Sequence, residues 1–278
     1  MGALIRELER VASASGVEII LGARASAITG DKKGITISTF DGVRYTCRDM
    51  VWAADDRSLS LLLDEPVRER RDGSQIKINM LLQRLPELKS GFDPTEAFAG
   101  TFHIDESAVQ LESAYKLAKS GALAKIIPSE VYCHSLTDQS IVGNTGLHTL
   151  TLFAFHTPAS LFEKNRQVIT SQATERIISG INAYLRTPLE EVLAYDSQGR
   201  ACIEVKNPLD LEDEIDLPRG NIFHADLSMP FADSLPVGSW GSETSHPNIF
   251  LGGASAVRGG GVSGIAGHNA AFAIINKK

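Results

Sequence analysis

The chain has 278 residues, of which 43% are hydrophobic, so it is long enough to bury a sizeable core and near the length at which chains divide into two lobes. Its 34 acidic and 27 basic residues leave a formal net charge of −7. This balance argues against nucleic acid as a partner, because binding it requires clustered lysine and arginine. No apolar run approaches the ~20 residues of a membrane span, and the N-terminus lacks a basic-then-apolar signal segment. We therefore expect a cytoplasmic protein without a membrane span.

The cysteines and histidines predict neither a disulfide framework nor a metal site. The three cysteines are widely spaced, at Cys47, Cys133 and Cys202, which is typical of a reducing compartment. The histidines form no H-x-x-x-H pattern and no His/Cys pair at the spacing of metal ligands on a helix. The seven histidines are His103, His134, His148, His156, His224, His246 and His268.

The first third of the chain predicts one helix followed by short strands. An apolar stripe at Leu4, Leu8, Val11 and Ala12 indicates an amphipathic helix that ends at Gly16. Asp41-Gly42 is a strong signal for a tight hairpin between two of the strands, and Asp55 ends the last of them. The predicted strands are Val17 to Leu21, Arg24 to Ile28, Ile35 to Phe40, Val43 to Cys47 and Met50 to Ala54.

The middle of the chain mixes strands and helices. Alternation predicts a strand at Ile76 to Leu82, and Leu147 to Phe155 is the most β-prone run in the chain. Glu130 to His134 is a further predicted strand. Helices are predicted up to Lys119, capped by Asp105 and Ser107, and from Glu163 to Leu185, where one apolar stripe repeats. The stretch from Ser197 to Leu217 is charged, and we expect an irregular, solvated face there.

Two local patterns resemble catalytic motifs without their context. His134, Ser135 and Asp138 contain the residue types of a hydrolase triad, but real triads are assembled from distant segments. Gly259, Gly261 and Gly264 match G-x-G-x-x-G, but a dinucleotide fingerprint needs a whole βαβ unit after it, and fourteen residues follow Gly264. Neither pattern is therefore assigned its usual function.

The C-terminal stretch is the most informative part of the sequence. Asn248 to Leu251 predicts a short strand that runs into a glycine-dense turn, and the turn opens a helix of small residues. Such an arrangement directs unpaired backbone N–H groups at whatever lies beyond the helix N-terminus, for example a phosphate or a flavin carbonyl oxygen. A tight turn that serves only close helix packing is the alternative.

The same stretch resembles the C-terminal flavin motif of phytoene desaturase-like FAD-dependent oxidoreductases, and most closely the pyridine nucleotide-disulphide oxidoreductase domain-containing proteins among them. Gly252-Gly253, Gly259 to Gly261 and Val262-Ser263-Gly264 match that motif position by position, while Val257-Arg258 stands where the family carries His-Pro. Gly220 to His224 is similar to a family motif close to the flavin. Ser135 to Asp138 is similar to its Ser-x-x-Asp-Pro segment, with glutamine in place of the proline.

The resemblance implies an α/β, two-lobed fold with an incomplete FAD-binding lobe and a mixed-sheet substrate lobe. Residues 1–56 would form a partial FAD-binding lobe, 57–245 the substrate-binding lobe and 246–278 the strand-turn-helix of the FAD-binding lobe. His224 would tune the flavin or shuttle a proton, although a structural histidine is the alternative. The implied cofactor-binding residues are Gly252, Gly253, Gly259, Gly260, Gly261, Val262, Ser263 and Gly264.

The resemblance also implies the chemistry, a hydride or two-electron transfer from an apolar or unsaturated substrate to FAD. It covers nearly all of this chain but about the C-terminal half of a typical family member, without the N-terminal glycine turn that holds the ADP moiety. We therefore expect the isolated chain to bind FAD weakly or not at all. A non-catalytic remnant that acts as a binding module remains an alternative. Another is one subunit of a split flavoenzyme, which would associate with an N-terminal FAD-binding partner chain or with itself.

Overall fold

The chain divides into two units, one formed by both ends of the chain and one by its middle. The computed structural model describes residues 2–31, 34–67, 71–224, 238–257 and 259–277. The first unit comprises residues 1–68 with 228–278, and the second comprises residues 69–227. Among the described residues, none of the helices has the length and apolar character needed to cross a membrane.

The first unit begins with a helix and an antiparallel sheet. Helix α1 spans Gly2–Ala14, as its apolar stripe predicts, and Gly16 follows it with a φ of 82°. Hydrogen bonds between Thr39 and Val43 close the predicted hairpin at Asp41-Gly42. The strands pair in the order β1-β2-β3 and span Ala25–Asp31 (β1), Gly34–Thr39 (β2) and Arg44–Cys47 (β3).

A two-stranded parallel sheet joins the two ends of the first unit. Strand β4 (Met50–Trp52) pairs with β10 (Ile249–Leu251), so that Phe250 lies opposite Val51. Asp55 caps helix α2 (Asp56–Leu62) by accepting a hydrogen bond from the backbone N–H of Ser58 at 2.8 Å. The acid that follows the strand therefore also begins a helix. The first unit also contains helix α8, which spans Ile265–Ile275 and packs against β10.

One predicted strand is absent from the described structure. Residues Val17 to Leu21 have no strand conformation, so this prediction is wrong for the chain as it folds here. The physical reason is that an isolated apolar run becomes a strand only when another strand bonds to it, and none of the described strands does so. The segment is consequently solvent-exposed, and Leu21 is 89% exposed. In α1, every described residue is exposed or half-exposed.

The second unit is built on an antiparallel sheet. Its five strands lie in the order β6-β7-β8-β5-β9. Along β5 the even-numbered residues from Ile76 to Leu82 are buried and the odd-numbered ones are half-buried, which confirms the alternation in the sequence. The strands span Gln75–Leu82 (β5), Phe102–Ile104 (β6), Ser129–Tyr132 (β7), His148–Phe155 (β8) and Ile203–Lys206 (β9).

Helices bury the apolar face of this sheet. The side chains of Ala173, Ile177 and Ile181 join the core in one stripe of the long helix. Ser107 caps the preceding long helix as predicted, whereas Asp105 accepts a hydrogen bond from the hydroxyl of Tyr184. The helices of this unit are α3 (Pro94–Ala97), α4 (Ala108–Lys119), α5 (Arg166–Asn182), α6 (Leu189–Val192) and α7 (Pro208–Ile215).

The charged stretch from Ser197 to Leu217 is more ordered than its composition predicts. It contains β9, which pairs with β5, and α7, which begins at a reciprocal capping box. In that box the side chain of Asn207 accepts from the N–H of Asp210, and the carboxylate of Asp210 accepts from the N–H of Asn207. The expectation of an irregular segment is therefore wrong, because the caps and the sheet pairing outweigh the high charge.

Candidate functional site

The predicted strand-turn-helix at the end of the chain is present in the structure. Strand β10 runs parallel to β4, and the ladder continues one step further, since the N–H of Gly252 donates to the carbonyl oxygen of Trp52 at 2.8 Å. The chain then turns over residues 252–264 and enters α8. The carboxyl end of β10 is thus followed by the glycine turn and then by the N-terminus of α8.

Two glycines of the turn are required by close backbone packing. A Cβ added to Gly253 would lie 2.2 Å from the carbonyl oxygen of Ala53, and one added to Gly259 would lie 2.4 Å from that of Ala254. Separations this short cannot be relieved by rotating a side chain, because the obstructing atoms belong to the backbone. These positions set the shape of the turn, and Gly252 is similarly close to the side chain of Val51.

The second half of the turn faces open space. Gly260, Gly261 and Gly264 have φ angles of 82°, 66° and 75°, a conformation that favours glycine. No described atom lies within 4 Å of a Cβ built on Gly261 or Gly264. Val262 shares the left-handed conformation with a φ of 51° although it is β-branched, and it is 81% exposed. The arc from Gly261 to Gly264 therefore borders a volume that the described residues leave open.

The helix that follows presents an uncapped N-terminus to the same side. Its N-cap is Gly264, which has no side chain to accept a hydrogen bond, and the first turn contains no acidic residue. The N–H of Ile265 reaches the Ser263 hydroxyl at 3.3 Å, whereas those of Ala266 and Gly267 have no acceptor within the helix. These groups and the helix dipole together favour an electron-rich ligand.

Helix α8 is held firmly against the rest of the first unit. Ala270 and Ala273 pack against Phe250 of β10, and the side-chain amide of Asn269 donates to the carbonyl oxygen of Trp240 at 3.0 Å. At its far end, Lys277 pairs with Asp49. The N-terminus of the helix is consequently fixed in position relative to β10.

Residues that the sequence did not single out support the turn. The carboxylate of Glu243 accepts hydrogen bonds from the N–H groups of Ser239, Trp240 and Ser242. Ser242 in turn accepts from the N–H of Leu251. The serine, tryptophan and glycine residues around Glu243 are a turn signal, but only the structure shows that this turn braces the strand that leads to the glycines.

His224 belongs to the second unit, whereas the glycine turn belongs to the first. It is half-buried with a φ of 61°, and its N–H donates to the carbonyl oxygen of Asn221 at 2.9 Å. The loop from Asp226 to Pro230, which follows it, lies outside the described residues, as does Arg258 in the glycine turn. A role of His224 beside the flavin stays a prediction.

The open face of the five-stranded sheet carries polar and aromatic side chains. A cavity of about 590 Å³ on this face is lined by Asn79, Thr151 and Glu204 among others. The side-chain amide of Asn79 donates to Glu204 at 3.0 Å and lowers the pKa of that carboxyl. Tyr132 and Phe153 pack edge to face nearby on β7 and β8, with ring centroids 5.9 Å apart. The face therefore combines apolar area with a few fixed polar groups.

The suspected triad residues serve local structure. Ser135 is buried, and its hydroxyl accepts a hydrogen bond from the N–H of Thr149 at 3.0 Å. The carboxylate of Asp138 accepts from the N–H and the hydroxyl of Ser140. These contacts assign both residues to the turns that connect β7 and β8.

Comparisons with known proteins found relatives in sequence and similar solved structures. No family model matches it. An uncharacterized protein of Mycobacterium tuberculosis is 40% identical over 288 residues, which cover 99% of this chain and 54% of that protein. The rat pyridine nucleotide-disulfide oxidoreductase domain-containing protein 2 is 29% identical over 212 residues, or 71% of this chain and 34% of that protein.

Solved structures give the same fold class. Wild-type putrescine oxidase bound to putrescine matches with a TM-score of 0.53 at 15% identity, over 96% of this chain and 51% of that one. A double mutant of the same oxidase, from a redesign of its cofactor binding, also has a TM-score of 0.53, at 14% identity. The chain is thus an α/β protein with structural similarity to FAD-dependent oxidases, which confirms the α/β part of the predicted fold class. The incomplete FAD-binding lobe and the substrate lobe stay predictions.

The sequence relatives add to the likeness in fold. The chain has weak homology to pyridine nucleotide-disulfide oxidoreductase domain proteins. The chain spans about half the length, 54%, of the mycobacterial relatives that it matches.

Proposed function

We propose that this chain is the flavin-ring and substrate part of an FAD-dependent oxidoreductase of the dehydrogenase or desaturase type. The observation that carries the proposal is the glycine turn of residues 252–264, which opens α8 with an uncapped N-terminus. Bound FAD would accept a hydride or two electrons from the substrate. The chain's own contribution would be to orient the flavin and to favour the negative charge of its reduced form.

The residues of the turn fit a flavin in two respects. Gly261 and Gly264 leave open space where a Cβ would stand, so a flat ring could approach the backbone closely. The first-turn N–H groups of α8 and the positive end of its dipole would then face the electron-rich edge of the ring. Gly252, Gly253 and Gly259 would act indirectly, by setting the shape of the turn, while Val262 and Ser263 would border the ring.

We place the substrate on the open face of the second unit's sheet. Phe153 and Tyr132 supply aromatic surface to this face, which suits an apolar or unsaturated substrate. A small amine is the second candidate, because the carboxylate of Glu204 lines the cavity, where a ligand ammonium would compete with Nζ of Lys206, 3.4 Å from Oε1. The match in fold to putrescine oxidase, solved with putrescine bound, is a further reason to test amines as substrates.

We further propose that the ADP half of FAD is held by the part of the protein that the mycobacterial relatives have and this chain does not cover. A parallel strand from that part, in the same polypeptide or in a separate subunit, would pair with Val17 to Leu21. This segment and α1 present contiguous stretches of exposed apolar side chains, including Leu8, Ile20 and Leu21. Apolar surface of this kind is typical of a docking face.

The competing proposal is that the chain is a non-catalytic remnant that retains the fold without the cofactor. The two proposals differ at Gly261. Its replacement by valine adds side-chain atoms to the open space beside the turn, to which we assign the flavin, in a conformation that costs ~1–2 kcal/mol for a residue with a side chain. Gly121 offers a matched control, because it also has a positive φ, of 80°, and no described atom within 4 Å of a built Cβ.

The test uses a complex reconstituted from this chain and the part of the Mycobacterium tuberculosis relative that it does not cover. FAD retained after gel filtration is measured by absorbance for the wild type, Gly261→Val and Gly121→Val. The proposal predicts that Gly261→Val loses most of its flavin while Gly121→Val keeps it. Equal flavin content in the two variants would show that the turn serves packing alone. An initial screen of the loaded complex with polyenes and diamines then separates the two substrate classes.

A further inference from the structure

A second cluster of chemistry-bearing side chains lies in the second unit, on the edge strand β6 and its neighbour β7. His103 of β6 lies directly opposite Glu130 of β7 in the antiparallel register, so both side chains project from the same face. Glu106 follows β6 in the connection to α4. One ligand atom from each of these three residues lies within 4.8 Å of the other two.

The carboxylate of Glu106 is incompletely satisfied within this cluster. Its Oε2 lies 2.6 Å from Nδ1 of His103, whereas its Oε1 is inaccessible to solvent and has no hydrogen-bond partner among the described residues. A buried carboxylate oxygen without a partner is unfavourable, and native proteins rarely leave one. A cation beside Oε1 would remove this deficit.

The chain around Glu106 is fixed by contacts outside the cluster. Asp105 adopts a left-handed conformation with a φ of 54°, and its carboxylate accepts from the hydroxyl of Tyr184 at 2.8 Å. Ser107 caps α4 through the N–H of Gln110. The side chain of Glu106 is accordingly 18% exposed, while that of His103 is 57% exposed and leaves a route from solvent.

We propose that His103, Glu106 and Glu130 bind a divalent cation of the zinc class. One imidazole nitrogen and two carboxylates form a donor set that Zn²⁺ and its neighbours accept, with bonds of about 2.0–2.2 Å. Ligand atoms around such an ion are about 3.4 Å apart. The ligand atoms of the cluster lie within 4.8 Å of one another, and the ion would separate Nδ1 of His103 from Oε2 of Glu106, now 2.6 Å apart. Solvent would complete the coordination on the exposed side of His103.

The proposal departs from the sequence-based expectation of no metal site. That expectation considered ligand spacing along one helix, whereas here the register of two strands brings His103 to Glu130 across 27 positions of sequence. In this position the ion would tie β6, β7 and the start of α4 together at the edge of the sheet. The cluster belongs to the second unit, whereas the glycine turn belongs to the first.

The experiment uses the 278-residue chain, stripped with a chelator and dialysed. Zn²⁺ binding is measured by isothermal titration calorimetry, and Co²⁺ is added in parallel because its visible absorption reports on imidazole and carboxylate ligation. The variants are His103→Asn, Glu106→Gln and Glu130→Gln. Glu112→Gln is the control, since Glu112 is an acid of α4 that pairs with Lys116 outside the cluster. Circular dichroism confirms that each variant is folded.

The wild type should bind one Zn²⁺ and develop a Co²⁺ absorption band. Each of the three ligand variants should weaken Zn²⁺ binding at least tenfold, whereas Glu112→Gln should match the wild type. Zn²⁺ at a hundredfold excess over Kd should also raise the Tm of the wild type by about 5 °C or more. Absence of stoichiometric binding, or binding that the three substitutions leave unchanged, would overturn the proposal and leave an ion pair only.

Discussion

The ammonium group of Lys277 lies 2.7 Å from Oδ1 of Asp49, the residue immediately before β4. Lys277 also donates to the side chain of Asn248, just before β10, so one residue links the end of α8 to the beginnings of both parallel strands. The side chain of Asp49 is 7% exposed. This contact fixes α8 from its C-terminal end, while its N-terminus stays open.

The Asp49 contact predicts a pH-dependent stability. Hydrogen bonds from Lys277 and then Arg48 lower the pKa of Asp49 in the folded protein. Its contribution is therefore fully present above the unfolded value of about 4 and is lost as the pH falls through the lower folded pKa. We expect Lys277→Met to lower the free energy of unfolding by about 1 kcal/mol at pH 7 and by much less near pH 2.

Urea unfolding at both pH values measures this difference. Lys116→Met is the control, because the Lys116–Glu112 pair is exposed on both sides and should contribute little at either pH. A loss of stability in Lys277→Met that is the same at pH 7 and pH 2 would show that the methylene chain, and not the charge, holds the helix.

The close approach of the backbone at Gly253 predicts that an added side chain destabilises the glycine turn. In Gly253→Ala the new Cβ would meet the carbonyl oxygen of Ala53, so we expect a loss of about 1–3 kcal/mol. Gly100→Ala provides the comparison, because no described atom lies within 4 Å of a Cβ there. Thermal unfolding of both variants makes the test, and equal Tm values would contradict the packing described for the turn.

The capping box at α7 predicts a second stability effect. Asn207→Ala removes the acceptor for the N–H groups of Leu209 and Asp210 and the donor to the hydroxyl of Thr170. We expect a loss of about 2 kcal/mol, at the upper end for an N-cap, since Asn207 is buried. Asn207→Asp, which keeps the acceptor, should recover part of it. Chemical denaturation that ranks alanine equal to the wild type would contradict the assignment.

The sequence predicted the elements that follow from local patterns. It failed for the elements that depend on pairing with distant segments of the chain. The alternation of β5 and the stripe of α5 predicted their buried faces, because burial follows periodicity directly. The high charge of the stretch from Ser197 to Leu217 led to the wrong prediction of an irregular segment where β9 and α7 form. The pairing of β9 with β5 is a long-range contact that composition does not encode. For Val17 to Leu21 the sequence predicted a strand that the structure lacks. None of the described strands lies beside this segment to form hydrogen bonds with it.

The candidate site likewise contains features that the sequence predicted and features that it did not. The strand, the glycines and the helix were readable in order from the sequence, and the structure arranges them as a strand-turn-helix. The brace formed by Glu243 and the register that joins His103 to Glu130 were not readable, because both depend on folded contacts between separate segments. The placement of His224 relative to a flavin remains a prediction.

The exposed apolar segment predicts association. Ile20→Lys with Leu21→Lys should reduce binding of a hydrophobic dye and shift the chain towards the monomer in light scattering, because both side chains are exposed. Val109→Lys is the control, since Val109 is an 82% exposed apolar residue at the start of α4. A wild-type chain that is strictly monomeric and binds no dye would contradict a docking role for this segment.

Flavin absorbance of the chain, with and without the part of the relatives that it does not cover, separates a flavoenzyme half from a remnant. We predict little or no bound FAD for the isolated chain, because we assign the pyrophosphate to a helix N-terminus of that other part. We predict one FAD for each reconstituted complex. Tightly held, stoichiometric FAD on the isolated chain, or a well-folded complex that binds none, would contradict it.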